Sequence, residues 1–554
     1  MKLTLSTTLA VMLSLFLLTS GTANAAGGDK QAKQKVSTPT GVPVRTYLNI
    51  NNISTVFKNT GISDIDVQEA NSGLVYPKGS RKTAVFQSGF LWGGKAEGEV
   101  RVGGTAYREG LQGGKILSPG VAESPDLPKN RIYRVRPDER PGSDFDANLS
   151  SEIADEGLAE DAIRTQYETD WTEWPAGDGA PYDDIDHNGS YDPDVDIPGV
   201  PGADQTIWFV ANDLDANRTT FLYGSNPIGI EMQSTIWAYS QQGALGSMFF
   251  RKYVIINKST NDIDSMYVSM WSDIDLGNST DDYAGCDTTL SLGFCYNANA
   301  IDATYNPLPP PAVGFDFFQG PLVDAPGETG ISNGQVVQDK KNLPMTAFYY
   351  FARGDASVTD PTQGSYEGTT QFYNFFQGKI GKTGKYFEDP DPDNNVQTTF
   401  ALAGDPQARS GWLDGDLLPA GDRRIGLASG PFTMAAGDTQ EIVVAEIAAG
   451  AIPGVDRISA IGLLKFFDLQ AQLAYDNFFN LPTPPPAPEV TVTELDREIV
   501  LDWSKDNDQV VATETSIIKG YAFQGYNVYQ LPSASASISE GVRVQTFDIN
   551  DGIG

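Results

Sequence analysis

The sequence predicts a mainly all-β protein: β-sandwich modules with one or two packed helices, followed by a partial C-terminal sandwich. Three observations predict it. From about Val44 to residue 480, short runs alternate apolar and polar side chains at the period of two that a half-buried strand requires. Turn formers punctuate those runs, with 57 glycines and 34 prolines in 554 residues. Only two stretches carry helical spacing instead.

Taken in chain order, Met1-Lys2, an apolar run from Leu9 to Leu18 and Ala23-Asn24-Ala25 have the charged start, short apolar core and small-residue cleavage site of a secretory signal over residues 1–25. That core is shorter than the ~20 apolar residues a membrane span needs, so no membrane insertion is expected. Residues 26–42 are polar and without period and read as a flexible lead-in. The large β-rich region, 43–480, follows, with room for two subdomains. Within it, Phe250 to Asn257 and Ser265 to Trp271 flank Thr260-Asn261-Asp262, which suits a hairpin turn, with Met266, Val268 and Met270 on one face and Tyr267 and Trp271 on the other.

The first helical stretch is 150–171, where serines and early acids precede apolar positions at helical spacing and Gly157 weakens the pattern. The second is 457–478, where Ile461, Leu464, Phe467, Ala471, Ala474 and Phe478 recur at three and four, with Leu463, Phe466 and Leu473 widening that face. It ends at the proline-rich stretch 481–488, a stiff extended linker. After the linker, Ile499, Leu501 and Trp503 alternate on one strand and Tyr526 to Tyr529 form another.

Acidic residues outnumber basic ones 72 to 38, a net charge of −34 that repels phosphate backbones and anionic lipid. Nucleic acid is therefore not an expected partner and cations are; solubility of an exported chain is the plainer cause of the same acidity. The single histidine, His187, lies inside an acidic turn, which leaves histidine-based hydrolysis without a suitably placed base. A pair of carboxylates about 5 to 10 Å apart needs no histidine, so a carbohydrate-active enzyme or carbohydrate-binding protein stays open as an alternative. Trp171 and Trp174 beside Glu173 are its candidate sugar platform or, more simply, core residues.

The chemistry-bearing motif is that turn. Asp184, Asp186 and Asn188 take the first, third and fifth places of a calcium loop and Gly189 the sixth, with Ser190, Asp192 and Asp196 following. The twelfth place holds Val195 rather than a glutamate, so Asp192 and Asp196 would have to close the shell. Ca²⁺ is the expected ion and its role structural. A second cluster, Asp273, Asp275, Asp281, Asp282 and Asp287, concentrates charge that ions or protons must offset, and Ca²⁺ is expected there too. Asp213 and Asp215 are free to join either site. Asp389, Asp391 and Asp393 alternate with prolines and read as a solvated loop. Cys286 and Cys295, nine residues apart in an oxidising compartment, are expected to form a disulfide worth about 2 to 3 kcal/mol, the alternative being two buried free thiols.

The proline-rich entry, the strand-borne Trp503 and the later Tyr526-Asn527-Val528-Tyr529 resemble a fibronectin type III domain, truncated over residues 489–554 because such a sandwich takes about 100 residues. More broadly, residues 73–80, the aspartate turn, residues 271–287, Gly430-Pro431-Phe432-Thr433-Met434 and the long helix resemble large secreted proteins of the Bacteroidetes and Ignavibacteria type. Many of those carry fibronectin-like domains and a type IX secretion signal. The resemblance implies a secreted or cell-surface protein and no particular activity; calcium-stabilised β modules lead to the expectation of a non-catalytic role in adhesion or as an envelope component, with an extracellular glycan or surface protein as partner.

Overall fold

The computed structural model describes residues 44–66, 71–142, 147–241, 243–390, 396–479, 488–496, 498–518, 521–530 and 541–549. The expected leader and lead-in lie outside the described residues, as do 481–487 of the linker and Asp391 and Asp393.

Thirteen strands build two main sheets: β1 (Gln87–Ala96), β2 (Glu99–Gly104), β3 (Tyr133–Val135), β4 (Gln205–Asn212), β5 (Ile230–Ala238), β6 (Met248–Asn257), β7 (Ile263–Ile274), β8 (Asp282–Asp287), β9 (Leu292–Asn297), β10 (Ala312–Gln319), β11 (Ala347–Ala352), β12 (Arg423–Met434) and β13 (Thr439–Ala449). The larger sheet runs β3-β4-β5-β6-β13-β10-β9-β8, with the short strand Gln112–Gly113 also beside β4. The smaller runs β11-β12-β7-β1-β2. Among the described residues there are six α-helices, α1 (Ser150–Glu156), α2 (Glu160–Thr172), α3 (Ala216–Tyr223), α4 (Tyr366–Phe376), α5 (Ser459–Asp476) and, past the linker, α6 (Asn507–Glu514).

The protein is a β-sandwich, as expected, but it is wound differently. Both sheets share one apolar core, to which β1 gives Phe90 and Trp92, β7 gives Met266, Val268 and Met270, β6 gives Phe249 and Ile255, and β13 gives Ile442 and Val444. Each such side chain taken out of water contributes about 1.5 to 3 kcal/mol. The expected hairpin between β6 and β7 does not form. β6 pairs with β5 and β13, whereas β7 pairs with β1 and β12, so the chain changes sheets at Thr260-Asn261-Asp262. Asn257 holds that corner, its Nδ2 donating to the carbonyls of Asn261, Met434 and Ala435 at 2.9 to 3.1 Å. Alternation told the faces of β7 correctly, since Tyr267 packs outward on Tyr373 and Met266, Val268 and Met270 are buried. It carries no information about which strand lies alongside.

A helix covers the outer face of each sheet. α5 lies on the large sheet with Ile461, Leu464 and Ala471 fully buried among β9, β10 and β13 residues. Its apolar stripe is narrower than expected: Phe466 and Leu473 are 54% and 57% exposed, because they project from the flank of the buried stripe. α4, which the sequence reading did not anticipate, covers the small sheet. Ser365 caps it by accepting the Gly368 N–H, and Phe375 packs against Tyr349 and Phe351 of β11 at 5.3 and 4.6 Å between ring centres. Helical spacing over 150–171 resolves into α1 and α2, separated by Gly157, whose φ of 68° ends the first.

Buried polar contacts sit inside these layers, among them an ion pair and a carboxyl pair. Between the sheets, Arg251 of β6 donates to Asp64 at 3.0 Å and to Glu446 of β13, and the rings of Phe57 and Phe249 flank it at 5.1 and 5.0 Å. All three charged side chains are at most 1% exposed. Beneath α5, Asp468 faces Asp316 of β10, and the two carboxyl groups are hydrogen-bonded and buried.

The two cysteines are free thiols, which corrects the expected disulfide. The β8–β9 register sets Ala284 against Cys295 and Cys286 against Gly293. Cys286 and Cys295 are therefore diagonal neighbours, about 7 to 8 Å apart, whereas a disulfide needs β-carbons about 3.5 to 4.5 Å apart. Both are buried in the shared core, and burial raises both thiol pKa values.

Past the linker, the described residues form three separate antiparallel pairs, Thr491–Leu495 with Glu498–Asp502, Ile517–Ile518 with Tyr521–Ala522, and Gly525–Gln530 with Val542–Asp548. Trp503 does meet Tyr526 and Phe547, at 5.7 and 5.4 Å. Ile499 and Leu501 stay exposed, and the pairs do not join into a sandwich among the described residues. No described helix is long and apolar enough to cross a membrane.

Candidate metal centre

The acidic turn grows from a short antiparallel neck in which Tyr182 pairs with Pro198 and Asp183 with Ile197. Between the two sides of that neck the chain must reverse sharply, and it does so through left-handed backbone at His187 (φ 58°) and Gly189 (φ 77°). Apolar anchors hold the turn from below. The Tyr191 hydroxyl donates to the Trp171 carbonyl at 2.6 Å, the Trp171 indole donates to the Pro193 carbonyl at 3.0 Å, and the Tyr182 and Tyr191 rings meet edge to face at 5.5 Å.

Within the turn, Asp184, Asp186 and Asp196 converge, each offering a carboxylate oxygen within 4.8 Å of the others. Two oxygens bound to one Ca²⁺ at about 2.4 Å lie at most about 4.8 Å apart, so the spacing is that of a shared ion. Asp196 is fully buried and staples the turn, accepting the N–H groups of Ile185 at 3.0 Å and Asp192 at 2.7 Å. Asp184 accepts from Gly189 at 2.8 Å and from Asn188 at 3.1 Å, and those N–H groups, Gly189 first, hold its carboxyl below the usual range. Each bonded oxygen keeps a further lone pair for a cation.

Of the other three predicted ligands, Asn188 stays beside the group, its Nδ2 donating to Asp186 Oδ2 at 2.8 Å. Asn188 Oδ1 accepts the Ser190 N–H at 2.7 Å, Asp192 Oδ1 accepts the Asp194 N–H at 3.0 Å, and Asn188, Ser190 and Asp192 are all exposed. These are local Asx turns, the ordinary use of Asn and Asp in tight loops.

The second predicted cluster comes apart. Asp273 and Asp275 stay together, but Asp281 accepts the side-chain amides of Asn297 and Asn299 at 3.2 and 2.7 Å. Asp287 forms an ion pair with Lys465 of α5 at 2.8 Å; burial raises its pKa, and hydrogen bonds from Lys465 and Thr289 outweigh that and bring it below the usual range. Asp282 turns inward, fully buried, and accepts the Leu276 N–H at 3.3 Å. Their places are taken by Asp422, whose oxygen lies within 4.8 Å of those of Asp273 and Asp275. Asp422 is about 150 residues away in sequence, so no local pattern announces it.

Asp213 and Asp215 join neither group. Asp213 is buried and accepts the N–H groups of Ile228, Gly229 and Ile230 at 2.9 to 3.0 Å, and Asp215 caps α3 through the Asn217 N–H. Trp171 and Trp174 are 1% and 4% exposed, so neither has a ring face to offer a sugar; Trp174 plugs a small core with Tyr133 and Trp208. His187 is exposed at the tip of the turn.

No protein-family model matches the chain, and no curated protein matches it.

Proposed function

We propose that this is a secreted, calcium-stabilised, non-catalytic structural or adhesion protein of the cell surface or extracellular space. The observation that carries the reading is the convergence of Asp184, Asp186 and Asp196 at the mouth of an exposed turn. The mechanism is mechanical: an ion between the three carboxylates ties the first and last residues of the turn together and fixes the loop surface presented to a partner. The secretory pattern of residues 1–25 and the resemblance to exported fibronectin-bearing proteins support the location. The proline-rich entry, Trp503 and the run Tyr526 to Tyr529 are the sequence features that support a fibronectin-like module after the linker. The net charge of −34 suits a chain that works in a cation-rich exterior.

Thermal melting tests this. At a hundredfold excess over its dissociation constant, an ion that binds only the folded state contributes about 2.7 kcal/mol, which is about 3 °C in Tm for a domain of this size. Chelation is expected to lower Tm by at least that amount, and Asp184→Asn with Asp186→Asn is expected to lower it in calcium and to shrink the response to chelator by the contribution of the turn. An unchanged melt on chelation would reject the reading.

A further inference from the structure

We propose that the junction of β7 and β12 is a second site for a hard divalent cation, with Asp273, Asp275 and Asp422 as its protein ligands. It is distinct from the turn and goes beyond the reading of it above.

Strand register creates the site. β7 and β12 run antiparallel with Asp273 opposite Arg424 and Ile274 opposite Arg423. The same register carried one step further sets Asp422 across from Asp275, just where both strands end. Three carboxylates from two chain segments thus meet within 4.8 Å, the span available to oxygens on one ion of Ca²⁺ size. All the donors are oxygens, which selects Ca²⁺ or Mg²⁺ over the metals that prefer nitrogen and sulfur.

The surrounding protein under-compensates this charge. Arg424 donates to Asp273 Oδ2 at 3.0 Å and lies 3.2 Å from Asp422 and 3.5 Å from Asp360. Asp360 in turn accepts the Tyr107 hydroxyl at 2.7 Å. The other nearby cation, Arg353, reaches Asp422 at 3.4 Å from a side chain that is 77% exposed. Asp282 adds a fifth carboxylate, whose pKa is raised by burial first and by the charge of Asp275 next.

Three buried oxygens then stand without a hydrogen-bond partner from the protein: Oδ1 of Asp273, whose side chain is 9% exposed, Oδ1 of Asp422, which has only the ion-pair contact with Arg424 at 3.2 Å, and Oδ1 of Asp282, which is fully buried. Leaving a buried carboxylate oxygen unmatched is costly, and a metal ion among the three ligands meets that deficit where one arginine does not. Asp273 supplies its free oxygen to the ion while keeping the other on Arg424.

Calcium counting on the full-length chain tests the proposal, with Tb³⁺ as the luminescent probe. Trp271, two residues before Asp273 and 4.7 Å from the Tyr107 ring, is the expected sensitiser. In the variant Asp184→Asn/Asp186→Asn, equilibrium dialysis is expected to find one Ca²⁺ per chain, and Tb³⁺ emission on tryptophan excitation is expected to persist and to be displaced by Ca²⁺. Adding Asp422→Asn is expected to remove that ion and at least tenfold of the emission, with the circular dichroism spectrum unchanged. Asp275→Asn, a substitution at the partly exposed rim, is expected to do the same and covers the case in which Asp422→Asn fails to fold. If the turn variant binds no ion, or if Asp422→Asn and Asp275→Asn both leave the count unchanged, the proposal is overturned. If instead the turn variant keeps the full wild-type count of ions, it is the turn that fails as a site.

Discussion

Arg251→Met is expected to destabilise the sandwich by about 3 to 5 kcal/mol, measured as the shift of the chemical denaturation midpoint at constant m-value. The magnitude follows from what stays behind. Arg251 is the cation that faces Asp64 and Glu446 between the sheets, and all three are at most 1% exposed. Methionine fills the space beside Phe57 and Phe249 but leaves two carboxylates in an apolar core, with the hydroxyls of Thr55, Ser63 and Ser88 donating to Asp64 and no cation beside Glu446. Burial and the charge of Asp64 already raise the Glu446 pKa, and Arg251 opposes that rise. Without Arg251 the pKa climbs further.

The sign is then fixed. Between the ordinary carboxylate value, about 4.3, and the raised folded value, the native state holds a proton that the unfolded chain has lost. That stability is fully present below the unfolded pKa and is lost as pH rises through the folded one. The variant should therefore lose less stability at pH 5 than at pH 8, and Glu446→Gln in the Arg251→Met background should recover part of the loss at pH 8. Equal loss at both pH values would show that Arg251 acts by packing alone.

The second large effect is expected at the α5–sheet contact. Asp316 and Asp468 are hydrogen-bonded, each about 1% exposed, and burial followed by the mutual charge raises the Asp316 pKa. Burial raises Asp468 as well, and the bond from Asp316 opposes it. The two carboxyl groups thus share one proton. The charged groups nearest the pair, Lys465 of α5 and Asp287 of β8, neutralise each other at 2.8 Å. With both carboxyl pKa values raised on folding, the contact is firm below about pH 4 and weakens as pH rises through the folded values. Asp316→Asn replaces the shared proton by a permanent N–H donor of the same shape. It is expected to stabilise the protein by about 1 to 3 kcal/mol at pH 8, to do little at pH 4, and to flatten the slope of stability against pH between them. An unchanged slope would show that the pair does not titrate on folding.

What the sequence made legible was local. Alternation and turn residues announced the β class, helical spacing announced α5, and thirteen consecutive residues held Asp184, Asp186 and Asp196 together. What it concealed was long-range. The run from Phe250 to Trp271 has every local sign of a hairpin, yet its halves belong to different sheets, because pairing depends on surfaces contributed by β1, β5, β12 and β13. Cys286 and Cys295 are close in sequence and lie on adjacent strands, and a register offset of two residues separates them. Asp422 reaches Asp273 and Asp275 only through the β7–β12 ladder, and Arg251 meets Asp64 and Glu446 only when both sheets close. The buried ionic groups were the hardest to foresee, since a charged residue within a strand reads locally as a solvent-facing one.

Everything proposed for the turn rests on an ion shared by Asp184, Asp186 and Asp196. Crystals of the protein grown in millimolar Ca²⁺, with data collected at long wavelength, test it most directly. The predicted result is an anomalous difference peak about 2.3 to 2.6 Å from one oxygen of each of the three carboxylates. A well-ordered turn with no anomalous signal between those oxygens would contradict it.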